Sequence, residues 1–217
     1  MGFIICCDFD GTVTTKDTIV SIMKRFVPDE SAPIIRQILA DDISVQEGVT
    51  RLFALIPTAL KEDIIDYAVN EIPVRQGFQE LLDFARAEDI PFYIVSGGMH
   101  FFIDPILSRF RGVTEVFAND VDMSGDYMAV NWSHPCDEAC DSQACGTCKP
   151  SILRAVNHEA SDVIVIGDSL TDRLAAHEAA LLFTTDKLTD YAEAHDLAFY
   201  PFETFDDITI QLKEVMK

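Results

Sequence analysis

Short apolar runs recur along the chain at 3–7, 91–95, 163–166 and 181–184, and stretches with helically spaced apolar residues separate them. Phe3-Ile4-Ile5-Cys6-Cys7 and Val163-Ile164-Val165-Ile166 are continuous, without the alternation of a half-exposed strand. Runs of this kind fit strands buried on both faces. Strands separated by helices pair through crossovers, so the pattern predicts an α/β fold, a parallel sheet with helices on both faces. With 217 residues and 48% hydrophobic content, the chain has material for one sizeable core, or a core with a small lid.

The long interval between the first two runs reads as helical. Ile19, Ile22, Met23 and Phe26 recur at helical spacing. Ser44 and Glu47 form a capping-box pattern before Val49, Leu52, Phe53 and Ile56, and Thr58 opens a stretch with Ile64, Ile65 and Val69. Pro28, Pro33, Pro57 and Pro73 punctuate the interval. We read residues 16–72 as a helical cap inserted into a core made of 1–15 and 73–217. Its apolar stripes are expected to be packing, although Ile22, Met23, Phe26 and Phe53 could instead wall a pocket. Further on, Phe78, Leu81, Leu82 and Phe84 mark a core helix, and 120–133 reads as a hairpin turning at Ser124-Gly125-Asp126 and ending in the packing residue Trp132.

Polar residues collect where the strands end. Asp8 and Asp10 follow the first run, and Gly11 lets the chain turn after them. Open parallel sheets place their ligands at the carboxyl ends of strands. Crowded carboxylates stay ionised when a cation sits among them, and hard oxygen donors suit Mg²⁺. The third run ends in Gly167-Asp168-Ser169-Leu170-Thr171-Asp172, which adds two carboxylates if its strand neighbours the first. The second ends in Ser96-Gly97-Gly98, a hydroxyl and amides able to grip phosphate oxygens. Lys149 opens a helix with Pro150 in its first turn, an unfavourable place for a cation without an anionic partner. Each segment also has a structural reading. Asp8-Asp10 could be an Asx turn, Asp168 or Ser169 a helix N-cap, Ser96-Gly97-Gly98 a plain loop, and Lys149 a solvated lysine.

Six cysteines fall into two groups. Cys6 and Cys7 lie in the first strand as buried thiols. Cys136, Cys140, Cys145 and Cys148 crowd just before Lys149, with His134 close by. The C-x₂-C pair at 145–148 fits half of a zinc knuckle, while the other spacings fit less well. Structural Zn²⁺ and free or redox-labile thiols both remain open on the sequence. His100, His158, His177 and His195 form no cluster along the sequence.

The 16 basic and 37 acidic side chains give a formal charge of −21. Such a surface suits neither nucleic acid nor an anionic membrane. No apolar run approaches transmembrane length, and no signal peptide is visible before the first strand. The expected compartment is the cytoplasm. Oligomeric state is not encoded in any of these features.

Taken in order, Asp8-Phe9-Asp10-Gly11-Thr12, Ser96-Gly97-Gly98, Lys149 and Gly167-Asp168-Ser169-Leu170-Thr171-Asp172 resemble the motifs of the haloacid dehalogenase superfamily of phosphohydrolases. The resemblance spans residue 3 to about 185 and implies a Rossmann-like core with an inserted cap. The early helical insertion resembles the phosphoserine-phosphatase branch, and 117–149 resembles the phosphatases of bacterial methionine salvage. The resemblance implies Mg²⁺-dependent hydrolysis of a small phosphorylated metabolite. It implies Asp8 as nucleophile, Asp10 as general acid and base, and Asp168 as metal ligand beside the Asp8 carboxylate and the Asp10 carbonyl. It implies Ser96, Gly97 and Lys149 as phosphate-binding groups and Asp172 as their support. One departure concerns the substrate. Phosphoserine phosphatases carry an early cap Glu for the substrate amine, and the comparable place here holds the shorter Asp17. Phosphoserine is therefore the second choice of substrate, and a non-catalytic metal or redox sensor built on the cysteines is the alternative from another class.

Overall fold

A computed structural model describes residues 2–140, 145–157 and 161–216. The chain begins with β1 (Phe3–Cys7) and a wide π-like turn over Phe9–Val13. Helices α1 (Thr18–Phe26), α2 (Pro28–Leu39), α3 (Val45–Phe53) and α4 (Lys61–Glu71) follow. After them come α5 (Phe78–Ala87), β2 (Phe92–Met99), α6 (His100–Leu107), β3 (Glu115–Asp122) and β4 (Ala129–Asn131). The last part holds α7 (Lys149–Val156), β5 (Asp162–Gly167), α8 (Arg173–Ala176), β6 (Leu181–Thr184), α9 (Asp186–Ala194), β7 (Tyr200–Pro201) and α10 (Phe205–Val215). The strands form one sheet in the order β4-β3-β2-β1-β5-β6-β7. All pairs are parallel except β3 with β4, the expected hairpin.

β1 lies at the centre, between β2 and β5, which is why its run is apolar throughout. Successive side chains point to opposite faces of the sheet. Ile5 and Cys7 enter one core with Phe78, Leu81 and Leu82 of α5, Ile106 of α6 and Phe205, Ile208 and Leu212 of α10. Ile4 and Cys6 enter a second core with Ile152 and Leu153 of α7, Ala175 of α8 and Leu188 of α9. The helices therefore cover both faces, as the strand pattern predicts.

The helices α1–α4 interrupt the chain between the turn after β1 and α5. The chain leaves at Thr14 and returns at Val74, and these two residues form an antiparallel bridge. The Thr15 amide donates to the Pro73 carbonyl at 3.0 Å, and the Arg75 amide to the Val13 carbonyl at 2.8 Å. The Asp17 carboxylate caps α1 by accepting from the Val20 amide at 2.8 Å, and the Ser44 hydroxyl caps α3 by accepting from the Glu47 amide at 3.1 Å. Pro33 does not punctuate the chain as expected. α2 runs through it, since proline's fixed φ is helical and its loss is one early hydrogen bond. Ile22, Met23 and Phe53 are fully buried, so their stripes are packing and not a pocket wall, while Phe26 is half-buried edge-on to Tyr67.

The β3–β4 hairpin docks on this insertion. Pro57 bridges to Tyr127, the Thr58 amide donates to the Asp126 carbonyl at 2.9 Å, and the Met128 amide to the Ile56 carbonyl at 3.0 Å. Trp132 donates its indole N–H to the Thr50 hydroxyl at 3.1 Å, and Phe53 meets Phe101 of α6 edge-on. No helix among the described residues is long and apolar enough to cross a membrane.

Candidate active site

Strand register assembles the polar residues. Cys7 pairs with Ile94 of β2 and with Ile166 of β5. Asp8, one residue past Cys7, therefore emerges beside Ser96 and Asp168, each two residues past its partner. The Asp8 amide is fixed by the Ile166 carbonyl at 2.9 Å. Gly11 then turns the chain at φ 87°, and a β-carbon there would overlap the Asp168 carboxylate. Its absence lets the first turn and the β5 loop close on one another. Asp8-Asp10 is thus no simple Asx turn.

Lys149 reaches into the cluster from the start of α7. Its Nζ lies 2.5 Å from an oxygen of Asp8 and 2.5 Å from one of Asp172, with all three side chains nearly excluded from solvent. Val95, Leu153, Val165 and Ala175 wall this ion triad. Burial works against the Lys149 charge, but Asp172 and Asp8 outweigh it and raise its pKa. The solvated-lysine reading is overturned, and the anionic partners that a helix-start lysine needs are present. Asp172 serves twice. Its other oxygen accepts from the Ser169 amide at 3.2 Å and closes a capping box with Ser169. The N-cap reading therefore holds for Ser169, while Asp168 stays turned to the site.

Asp10 points away from the ion triad. Its Oδ1 accepts from the Thr18 amide at 3.0 Å, and its Oδ2 faces the Ser96 hydroxyl at 3.4 Å. Burial, then Asp17, opposed by hydrogen bonds from Thr18 and reinforced by Asp8, pushes Asp10 up to about 7. A carboxyl in that range can both give and take a proton near neutrality. Ser96 and Gly97 lie in the irregular end of β2, where the β3 register slips between Val95 and Met99, and not in a loop before a helix. Slippage frees this stretch from regular pairing. The Ser96 hydroxyl accepts from the Gly98 amide at 2.9 Å, and a β-carbon on Gly97 would meet open space.

The donor set fits Mg²⁺. Asp8, Asp168 and Asp172 bring carboxylate oxygens within 4.8 Å of one another. The Thr12 hydroxyl adds a bond to Asp168 Oδ1 at 3.2 Å. Burial, Asp8 and Asp172 push Asp168 up to about 9, and burial lifts Asp172 to about 6 against the pull of Lys149. Carboxylates crowded in this way make a place for a small divalent ion. Asp10's side chain is not in this group, so its contribution to a metal would come through its backbone.

Several residues that order the site carry no sequence motif. Asn119 of β3, fully buried, donates to the Gly97 carbonyl at 3.2 Å and the Thr147 hydroxyl at 2.7 Å. Arg75 holds the Gly11, Thr12 and Glu203 carbonyls at 2.7, 2.9 and 2.8 Å. The four cysteines at 136–148 do converge, each Sγ within 4.8 Å of the others. His134 stays apart from them, donating from Nε2 to the Ala118 carbonyl at 3.0 Å. His177 and His195, separate along the sequence, meet around Tyr191 because α8 and α9 pack side by side. His158 lies outside the described residues.

Comparison with known proteins agrees with this geometry. The haloacid dehalogenase-like hydrolase family matches residues 5–177. A protein of Bacillus thuringiensis (strain Al Hakam), described as 2-hydroxy-3-keto-5-methylthiopentenyl-1-phosphate phosphatase, is 41% identical over 217 residues, covering 100% of this chain and 99% of its own. A Bacillus cereus (strain AH820) protein with the same description matches equally. Among solved structures, a substrate-bound phosphoserine phosphatase complex superposes with a TM-score of 0.72 at 19% identity, covering 96% of this chain and 97% of that one. A phospho-aspartyl intermediate analogue of phosphoserine phosphatase gives 0.70 at 19% identity, covering 94% of each chain. Three motifs at the ends of adjacent strands, Lys149 reaching in from the start of α7, and a family match that runs through all four lead to one conclusion: this chain belongs to the haloacid dehalogenase-like hydrolases.

Proposed function

We propose that this chain hydrolyses 2-hydroxy-3-keto-5-methylthiopentenyl-1-phosphate in methionine salvage, through a phosphate carried on Asp8. Full-length identity of 41% to relatives described by that activity supports the substrate. The observation that carries the chemistry is Lys149 held 2.5 Å from Asp8 beside an Asp10 poised near neutrality. The Asp8 oxygen attacks phosphorus as the bond to the substrate alcohol breaks. Asp10 gives its proton to the departing oxygen, then takes one from the water that attacks the aspartyl phosphate. Ser96 and the Gly97 backbone grip phosphoryl oxygens, and Lys149 offsets their charge. Phosphatases of this family generally use Mg²⁺, and Asp8, Asp168 and the Asp10 carbonyl are the residues that would hold it here. When bound, it neutralises charge on the phosphoryl group. Asp172 orients Lys149.

Residues 16–72 act as a cap that selects the substrate, over a core of 1–15 and 73–217. The Asp17 carboxylate is engaged in capping α1, which argues against its reading a substrate amine and so against phosphoserine. The filled catalytic positions argue against a purely sensory module. The cytoplasm is the proposed compartment, with a small metabolite and neither nucleic acid nor membrane as partner. The test is turnover of the methylthiopentenyl phosphate against phosphoserine and other phosphorylated metabolites, with and without Mg²⁺. Faster turnover of phosphoserine would overturn the substrate, and no Mg²⁺-dependent phosphate release from any of them would overturn the reading.

A further inference from the structure

Cys136, Cys140, Cys145 and Cys148 have no part in phosphoryl transfer, yet they converge to one point beside the catalytic lysine. Cys140 and Cys145 Sγ atoms lie 3.7 Å apart. A disulfide requires about 2.0 Å, whereas the edge of a tetrahedron of thiolates at the usual Zn–S length of about 2.3 Å is about 3.8 Å. Among the described residues no cysteine is in a disulfide, and Cys140 and Cys148 are nearly excluded from solvent. Gly146 turns the C-x₂-C segment at φ 74°, the left-handed conformation that folds such a knuckle back on itself. A β-carbon at Gly146 would lie 2.8 Å from the Trp132 ring, so only glycine fits beneath that side chain.

The cluster also has the outer scaffolding expected of a metal centre. The Cys148 amide donates to the His134 carbonyl at 2.9 Å. Arg154 of α7 grips both oxygens of Asp137, at 2.9 and 2.7 Å, and so ties the Cys136–Cys140 half of the cluster to the lysine helix. Such outer hydrogen bonds orient ligands and hold a site open for its ion.

Two links lead from this cluster into the active site, one through the chain and one through hydrogen bonds. Cys148 directly precedes Lys149, whose Nζ bridges Asp8 and Asp172. Thr147 accepts from Asn119 at 2.7 Å, and Asn119 donates on to the Gly97 carbonyl at 3.2 Å. One short segment thus touches both groups assigned to the phosphate. We propose that the four thiolates bind one Zn²⁺ tetrahedrally, and that this ion fixes Lys149 and the Ser96–Gly98 segment relative to Asp8. The positioning half of this inference rests on the phosphate-binding roles assigned to Lys149 and Gly97 above. The metal half does not. Cys136, Cys140, Cys145 and Cys148 are here positioning residues, and none of them meets the substrate.

The experiment has one readout that needs no activity. The full chain, purified under reducing conditions with zinc available, is analysed for metal, and zinc is then exchanged for Co²⁺. One zinc per chain is expected, and the cobalt form should show thiolate charge-transfer absorption with the intense red bands of a tetrahedral ion. Failure to bind zinc, or an octahedral cobalt spectrum, overturns the proposal whatever the phosphatase activity. Cys136→Ser and Cys140→Ser, distant in sequence from Lys149, should lose the metal and lower kcat by roughly tenfold to a hundredfold with a smaller change in KM. Cys140→His, which keeps a zinc ligand, should retain both metal and kcat. Metal-free variants with unchanged kcat would overturn the positioning role. A wild type that holds zinc but hydrolyses no phosphate ester would instead count against the proposed function, leaving the metal site standing.

Discussion

A β-carbon on Gly98 would lie 2.7 Å from Asp10 Oδ2 and 3.1 Å from Ser96 Oγ, so the bare backbone of Gly98 is what lets the Asp10 carboxylate sit at the end of β2. Gly98→Ala must therefore move Asp10 or the strand end. Because a displacement of about 1 Å in a positioned group can cost about 10²-fold in rate, kcat for a small phosphate ester is expected to fall by about that factor. The same β-carbon would lie 2.9 Å from Ile103 in the core, so stability should fall by about 1–3 kcal/mol as well. A variant with wild-type kcat would mean that Asp10 is not held where it acts.

Asp8→Asn should abolish turnover, since the amide neither attacks phosphorus nor carries the charge that Lys149 and a metal balance. Rapidly quenched wild-type enzyme should carry phosphate on Asp8, detectable by mass. Asp10→Asn should lower kcat by roughly 10²–10⁴-fold, the usual range for a lost general acid and base, with KM little changed. A rise in KM alone would make Asp10 a binding group.

Lys149→Ala should cost stability as well as activity. It leaves the buried Asp8 and Asp172 carboxylates facing each other without their cation, and breaking a buried ion pair by removing one partner costs about 3–5 kcal/mol. Chemical denaturation should register a loss of that order, partly restored by Mg²⁺. An unchanged midpoint would show that the two carboxyls are stabilised by something other than the lysine.

The acidic cluster gives the metal-free protein a particular pH dependence. Asp168 is pushed up to about 9, Asp10 to about 7 and Asp172 to about 6, all above the ordinary 3.8. In the unfolded chain these groups lose their protons near 3.8, so between there and the raised folded values the unfolded state binds fewer protons. Stability of the metal-free protein should therefore be greatest at low pH in that window and fall as pH rises through it. Bound Mg²⁺ would replace the proton on Asp168. The gain in melting temperature from Mg²⁺, measured against chelator at each pH, should grow from about pH 5 to about pH 9. A gain that shrinks with pH would contradict the assignment of Asp168 to the ion.

Arg75→Ala should loosen the turn after β1. The guanidinium supplies three bonds to main-chain carbonyls of Gly11, Thr12 and Glu203, and hydrogen bonds from charged groups contribute about 1.5–3 kcal/mol each when measured singly. Stability should fall by at least about one such bond, with kcat reduced through the displaced Asp10. Arg75→Lys, lacking the fork, should restore little of either.

Local sequence was enough to read the strand ends. Asp8, Ser96 and Asp168 stand together because each follows an apolar run, and three such runs became neighbours in β1, β2 and β5. Lys149 was legible for a different reason, its cost at a helix start without a partner. Asn119 and Arg75 were not legible. Their bonds join segments far apart in sequence, to Thr147 and Gly97 for one and to Gly11 and Glu203 for the other. No local pattern encodes such a contact. The placement of Ser96 was half right. The hydroxyl and glycines were identified, but not the register slip between Val95 and Met99 that puts them inside the strand's end. Slips of this kind depend on how the neighbouring strand pairs, which a single run does not specify.

The Thr14–Val74 bridge has a consequence for how this chain could vary. A long excursion whose ends are hydrogen-bonded to each other presents the sheet with the same boundary condition as a tight turn would. Closure entropy changes by only about 0.6 kcal/mol for each doubling of such an excursion. Closure entropy alone therefore sets little limit on how long the excursion between these two residues can be, and what ties the four helices to the sheet is their packing against α6 and the β3–β4 hairpin.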